Sequence, residues 1–130
     1  MNKKIENENS YGASCIFCKI VKGEIPSYKV YEDENFLAFL SIAPESPGHT
    51  LVIPKTHYRW VWDVPNAGEY FEITQKIALA QKKAFDTDFV LSKIVGEEVE
   101  HAHIWVFPNN KVSGDKKDFV GNLEKIKKFL

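Results

Sequence analysis

The chain has 130 residues and a mass of 14.9 kDa, room for one compact domain and too little for two of ordinary size. Hydrophobic residues make up 44% and charged residues 27%, which sets it apart from disordered chains. With 17 Lys plus Arg against 18 Asp plus Glu the net charge is -1, so it has no strong long-range pull on nucleic acid or on an anionic membrane.

No uninterrupted apolar run approaches the ~20 residues of a membrane span. The first ten residues are rich in Asn, Lys and Glu and lack the apolar stretch of a signal peptide. Residues 1–13 are therefore expected to be a flexible tail on a cytoplasmic protein, and residues 14–130 one domain. A short helical turn is expected over 15–22, stopped by Gly23. Strands are expected over 29–32 and 36–40, joined by the Asp33-Glu34-Asn35 turn. Pro44, Pro47 and Gly48 mark a loop, and a strand over 49–53 is ended by Pro54. Asn66, followed by Glu69 three residues on, is a candidate capping pair. Tyr70, Ile73, Ile77, Ala80 and Ala84 recur at helical spacing and predict one amphipathic helix over 67–85. Strands near 89–94 and 99–107 follow. Phe119, Leu123, Ile126 and Leu130 form one stripe of a C-terminal helix. Hairpin-linked strands with a long helix and a C-terminal helix give an α+β fold on an antiparallel five-stranded sheet.

Cys15 and Cys18 form a C-x-x-C. In a cytoplasmic chain this reads as metal or redox chemistry before it reads as a staple. Residues i and i+2 of a strand share a face, so His101, His103 and Trp105 lie together opposite the apolar Ala102, Ile104 and Val106. Two imidazoles and an indole on that face are either a site or ordinary strand residues. Trp60 and Trp62 alternate in the same way. Packing is preferred for them over stacking on a base. The lysines at 111, 116, 117, 125, 127 and 128 fit a solvated helix face better than a nucleic-acid patch.

Five stretches carry a resemblance: Cys15-Ile-Phe-Cys-Lys-Ile, Gly23-Glu-Ile-Pro-Ser, Val30-Tyr-Glu-Asp-Glu, Pro47-Gly-His-Thr-Leu-Val-Ile-Pro-Lys-Thr-His57, and His101-Ala-His-Ile-Trp-Val-Phe-Pro108. In this order and at about these spacings, they resemble the histidine triad superfamily of nucleotide-binding hydrolases and transferases. The resemblance implies a homodimer in which two five-stranded sheets join. It implies that His103 attacks the α-phosphate of a nucleotide conjugate, which suits a neutral imidazole near pH 7. Water then releases the nucleoside monophosphate from the nucleotidyl-histidine. His49 matches a supporting histidine, and Trp105 the third triad position. Phe17, Phe39 and Ile42 match the base pocket, Ser41 the ribose contact, and Gly96 and Glu98 the approach to the triad. The resemblance further implies a structural Zn²⁺ held by Cys15, Cys18, His57 and His101, a closed tetrahedral set.

The chain departs from that family's pattern at three places. Trp105 replaces the third histidine, and an indole cannot act as acid or base at neutral pH. Ser41 stands where a carboxylate would grip the ribose. Glu97 and Glu98 bring negative charge to the approach, which repels a phosphate unless they turn away. These departures keep a second reading open, a zinc-stabilised nucleotide-binding or interaction module with weak or no catalysis.

Overall fold

The computed structural model describes residues 14–130; the expected N-terminal tail, residues 1–13, lies outside them. Alternation within β2, Phe36–Leu40, is doubly apolar, and all five of its residues are buried. Phe36, Ala38 and Leu40 face one core, and Leu37 and Phe39 face another. A strand apolar on both faces sits inside a sheet, and β2 does. It pairs antiparallel with β1, Lys29–Glu32, on one side and with β3, Thr50–Pro54, on the other. β4, Val90–Lys93, and β5, Ile104–Pro108, complete a five-stranded antiparallel sheet in the order β1-β2-β3-β5-β4.

The larger core lies under two helices. Helix α2, Ala67–Ala84, buries Tyr70, Ile73, Ile77 and Ala80 on one stripe, as the spacing predicts. Helix α3, Phe119–Lys127, packs Phe119, Leu123 and Ile126 on the same core. Leu130 falls past the end of α3 and is exposed rather than part of that stripe. The smaller core is on the opposite face. There helix α1, Ile16–Val21, sets Phe17 and Ile20 against Leu37, Phe39 and Ile53. Gly23, at φ +79°, follows the end of α1, where a left-handed residue stops a helix cheaply.

Several boundaries differ from the sequence reading. The last strand begins at Ile104, not at 99. β3 ends at Pro54, and Ala102 N–H instead donates to Tyr58 O at 2.6 Å, so His101 and His103 sit on an irregular lead-in to the strand. β3 likewise starts one residue late, which leaves His49 just ahead of it. Asn66 precedes α2 but makes no side-chain cap; Glu69 instead accepts from Asn35 Nδ2 at 3.0 Å. The expected alternation of Trp60 and Trp62 is replaced by a 3₁₀ turn, Val61–Asp63. That turn puts Val61 into the core and turns both indoles outward, Trp62 to 75% exposure. Neither indole packs beneath α2. The six lysines of the last segment are all exposed, as a solvated face requires.

Candidate active site and metal centre

Two groups of side chains meet on the α1 face of the sheet. The first is Cys15, Cys18, His57 and His101, whose ligand atoms all lie within 4.8 Å of one another. Cys15 caps α1: its sulfur accepts from Cys18 N at 3.3 Å. The C-x-x-C spacing wraps one helical turn, so both sulfurs turn to one point. Cys15 Sγ is 3.4 Å from His101 Nδ1, and Cys18 Sγ is 3.4 Å from the same atom and 3.2 Å from His57 Nδ1. In a tetrahedral zinc site the sulfur-to-nitrogen edge is about 3.5 Å, so the four residues can hold a metal with little adjustment. His101 Nε2 donates to Pro54 O at 2.8 Å. That bond puts the ring proton on Nε2 and aims the Nδ1 lone pair into the cluster, as a metal ligand needs. The Cys15 thiol is pushed well below its ordinary value, first by the hydrogen bond with Cys18, against burial, and then by His101, while that same bond holds the Cys18 thiol above its ordinary value. A thiolate is the ligating form.

The second group surrounds His103, which is 1% exposed. The lead-in places His103 two residues past His101, and Phe17 packs edge-on against both rings, at 5.2 Å and 5.9 Å between centroids. The first group therefore abuts the second through Phe17 and two residues of backbone. His103 Nδ1 donates to His101 O at 2.7 Å, because a carbonyl can only accept. Its other nitrogen, Nε2, lies 3.0 Å from Glu98 Oε1. Glu98 does not turn away from the site, contrary to the condition set by phosphate repulsion. Its carboxyl is held below the ordinary carboxylate value: burial opposes this, but backbone N–H groups of Glu98 and Gly96 and the nearby His103 outweigh it.

The further positions vary. His49 is buried beside Trp105 and Phe107, with ring centroids 5.1 Å and 5.0 Å away. Its Nδ1 accepts from Glu45 N–H at 3.0 Å. Burial, aided by Lys93, pushes its pKa down to about 4 and keeps the ring neutral. Trp105 pairs with Leu51 and Lys93 across the sheet, and the Lys93 ammonium lies 5.6 Å from the indole centroid. Phe17 and Phe39 touch edge-on at 5.5 Å and are both buried. Ser41 Oγ accepts from Ala43 N at 3.2 Å, and Ile42 is 80% exposed. Gly96, at φ +84°, bends the loop that carries Glu98.

One positioning residue has no sequence signal. Arg59 Nη1 donates to Gly96 O at 2.8 Å, and its guanidinium lies 3.7 Å over the Trp60 ring. It ties the metal-side loop to the Gly96–Glu98 approach. An Arg in a loop is ordinary, and only the fold reveals its partner.

The HIT domain family model matches residues 22–112. The adenosine 5'-monophosphoramidase of Saccharomyces cerevisiae is 44% identical over 101 residues, which cover 74% of this chain and 63% of that protein. A HIT-like protein of Bartonella henselae superposes with a TM-score of 0.79 at 36% identity, over 89% of this chain and 96% of that one. A zinc-bound histidine triad family protein of Mycobacterium smegmatis superposes with a TM-score of 0.73 at 32% identity, over 90% of this chain and 93% of that one. Among the described residues no helix is long and apolar enough to cross a membrane. With the His-x-His lead-in, the cysteine–histidine cluster and the five-stranded sheet, these matches show that the chain belongs to the HIT family, the histidine triad proteins.

Proposed function

We propose that the protein is a hydrolase or nucleotidyl transferase acting at the α-phosphate of a nucleoside phosphate conjugate. The observation that carries this reading is the fixed orientation of the His103 ring. With Nδ1–H donated to the His101 carbonyl, Nε2 is the nitrogen left to attack, and an imidazole nitrogen freed of its proton is a competent nucleophile. Nε2 attacks phosphorus, the leaving group departs, and a nucleotidyl-histidine forms. Water then releases the nucleoside monophosphate and restores His103.

The other residues take supporting roles. His49, neutral and buried, braces Trp105, which lines the phosphate site. Phe17, Phe39 and Ile42 form the base side, Ser41 contacts the ribose, and Gly96 and Glu98 approach the phosphate. Cys15, Cys18, His57 and His101 hold a structural Zn²⁺. The set leaves no open position, so the metal fixes α1 to the His101–His103 lead-in rather than entering the reaction. The activity named for the yeast relative supports the substrate class, and the zinc-bound mycobacterial relative supports the metal. The working form we propose is a cytoplasmic homodimer of a single domain spanning residues 14–130, with no nucleic-acid or membrane partner.

Trp105 favours a second reading, a nucleotide-binding module without turnover, because indole supplies no acid to the leaving group. The test is release of AMP from adenosine phosphoramidate by wild type and by His103→Ala. Release that disappears in the variant supports the enzyme. A wild type that binds the nucleotide but releases nothing supports the module, and one that neither binds nor releases removes both.

A further inference from the structure

Glu98 meets His103 at the nitrogen that would attack phosphorus. His103 Nδ1 already donates to the His101 carbonyl at 2.7 Å. Nε2 and Glu98 Oε1 nevertheless lie 3.0 Å apart, and two bare lone pairs would repel at that distance. A carboxylate within hydrogen-bond reach of Nε2 is placed to share its proton and to take it. For His103 to attack phosphorus that proton has to leave Nε2, and Glu98 is the acceptor already in contact.

A leaving group that departs as an amine or alcohol needs a proton. The other two residues that the resemblance assigns to the chemistry are poor acids. Trp105 has an indole N–H that does not ionise at neutral pH. His49 is a neutral ring with Nδ1 engaged by the Glu45 N–H. Glu98 carries its side chain at 42% exposure, so it has room to swing aside as the phosphoryl group arrives and remain beside it.

Building on the nucleotidyl-transfer reading, we propose that Glu98 is the general acid–base of this site, carrying the proton from His103 Nε2 to the leaving group. In the first step the proton passes from Nε2 to the Glu98 carboxylate, the Nε2–P bond forms, and the P–X bond breaks. The departing atom X takes the proton from the Glu98 carboxylic acid. In the second step the Glu98 carboxylate takes a proton from the attacking water. A P–O bond forms, the P–Nε2 bond breaks, and the proton returns to Nε2. The resting contact is restored and no outside acid or base is consumed. The carboxylate at this position thus supplies what Trp105 cannot.

The test is Glu98→Gln, which keeps the shape of the side chain and removes its acid–base chemistry. First-turnover release is followed on two substrates, adenosine phosphoramidate, which needs a protonated leaving group, and the 4-nitrophenyl ester of AMP, whose phenolate leaves without one. The variant is expected to lose at least about 100-fold on the phosphoramidate and at least about tenfold less than that on the ester, where Glu98 has only the Nε2 proton to take and no leaving group to protonate. A merely structural role would lower both rates by the same factor, and that result overturns the assignment, as does an unchanged rate on the phosphoramidate. A wild type inert on both substrates instead refutes nucleotidyl transfer itself, and the assignment with it.

Discussion

Gly48 is the position where one added methyl group is expected to do the most damage. It adopts φ +80°, and a Cβ there would lie 2.5 Å from Phe85 Cε2, 2.8 Å from Phe85 Cζ and 3.0 Å from Ile126 Cδ1. The left-handed backbone costs an L-residue roughly 1–2 kcal/mol. Forcing apart the rings and methyls of a packed core costs roughly 1–3 kcal/mol more. Gly48→Ala should therefore destabilise the chain by about 2–5 kcal/mol, a large part of the roughly 5–15 kcal/mol that holds a domain together. The Gly48 carbonyl also accepts from Gln81 Nε2 and from Thr50 Oγ1, each at 2.9 Å, so a shift at this loop disturbs the link from α2 to the strand beside His49. The assay is urea unfolding, read as a lower midpoint at constant slope. Gly68→Ala is the control. It sits in α2 with no atom within 4 Å of the added Cβ, and it should be neutral or stabilise by up to about 1 kcal/mol. A loss below about 1 kcal/mol for Gly48→Ala would refute the reasoning.

Protein purified without added metal should carry about one zinc per chain. Cys18→Ala should carry none and melt at a lower temperature, and metal-free wild type with an unshifted melting point contradicts the site. His49 sets an acid limit. Its pKa is pushed down from 6.5 to about 4 by burial, with Lys93 adding. Between those values the unfolded chain binds a proton that the folded chain refuses. Its contribution is thus complete above pH 6.5 and is lost as pH falls towards 4, by up to about 1.4 kcal/mol per pH unit. His49→Gln should flatten that part of the pH–stability curve, and an equal slope in wild type and variant would count against it. Tyr70→Phe should cost about 1–2 kcal/mol in urea unfolding, because the buried hydroxyl donates to Val52 O at 2.7 Å; no measurable loss would mean that the bond is weak.

Much of the fold is legible in the sequence because its elements follow one physical signal each. The stripe from Tyr70 to Ala80 needs only helical periodicity, and β2 is a short apolar run bounded by the Asp33-Glu34-Asn35 turn. The cysteine and histidine ligands were legible through spacing and resemblance together, since neither C-x-x-C nor His-x-His alone specifies a partner 86 residues away, as Cys15 is from His101. The start of β5 was not legible. It depends on where β3 ends and on the Ala102–Tyr58 hydrogen bond, which is a tertiary fact. Trp60 and Trp62 misled because a 3₁₀ turn and a strand look alike over three residues; burial of Val61 decided between them. Asn66 has the chemistry of a cap, yet Glu69 is drawn to Asn35 across the fold. The sequence marked Glu98 as a charge in the wrong place. Only its 3.0 Å approach to Nε2 turns that oddity into a partner for His103.

The most direct test of the account is to trap the covalent intermediate. Wild type in excess over adenosine phosphoramidate is quenched within the first turnover, digested, and its peptides weighed. The account predicts an adenylyl group on His103, absent from His103→Ala. AMP release with no adduct on His103, or release that persists in His103→Ala, would contradict it.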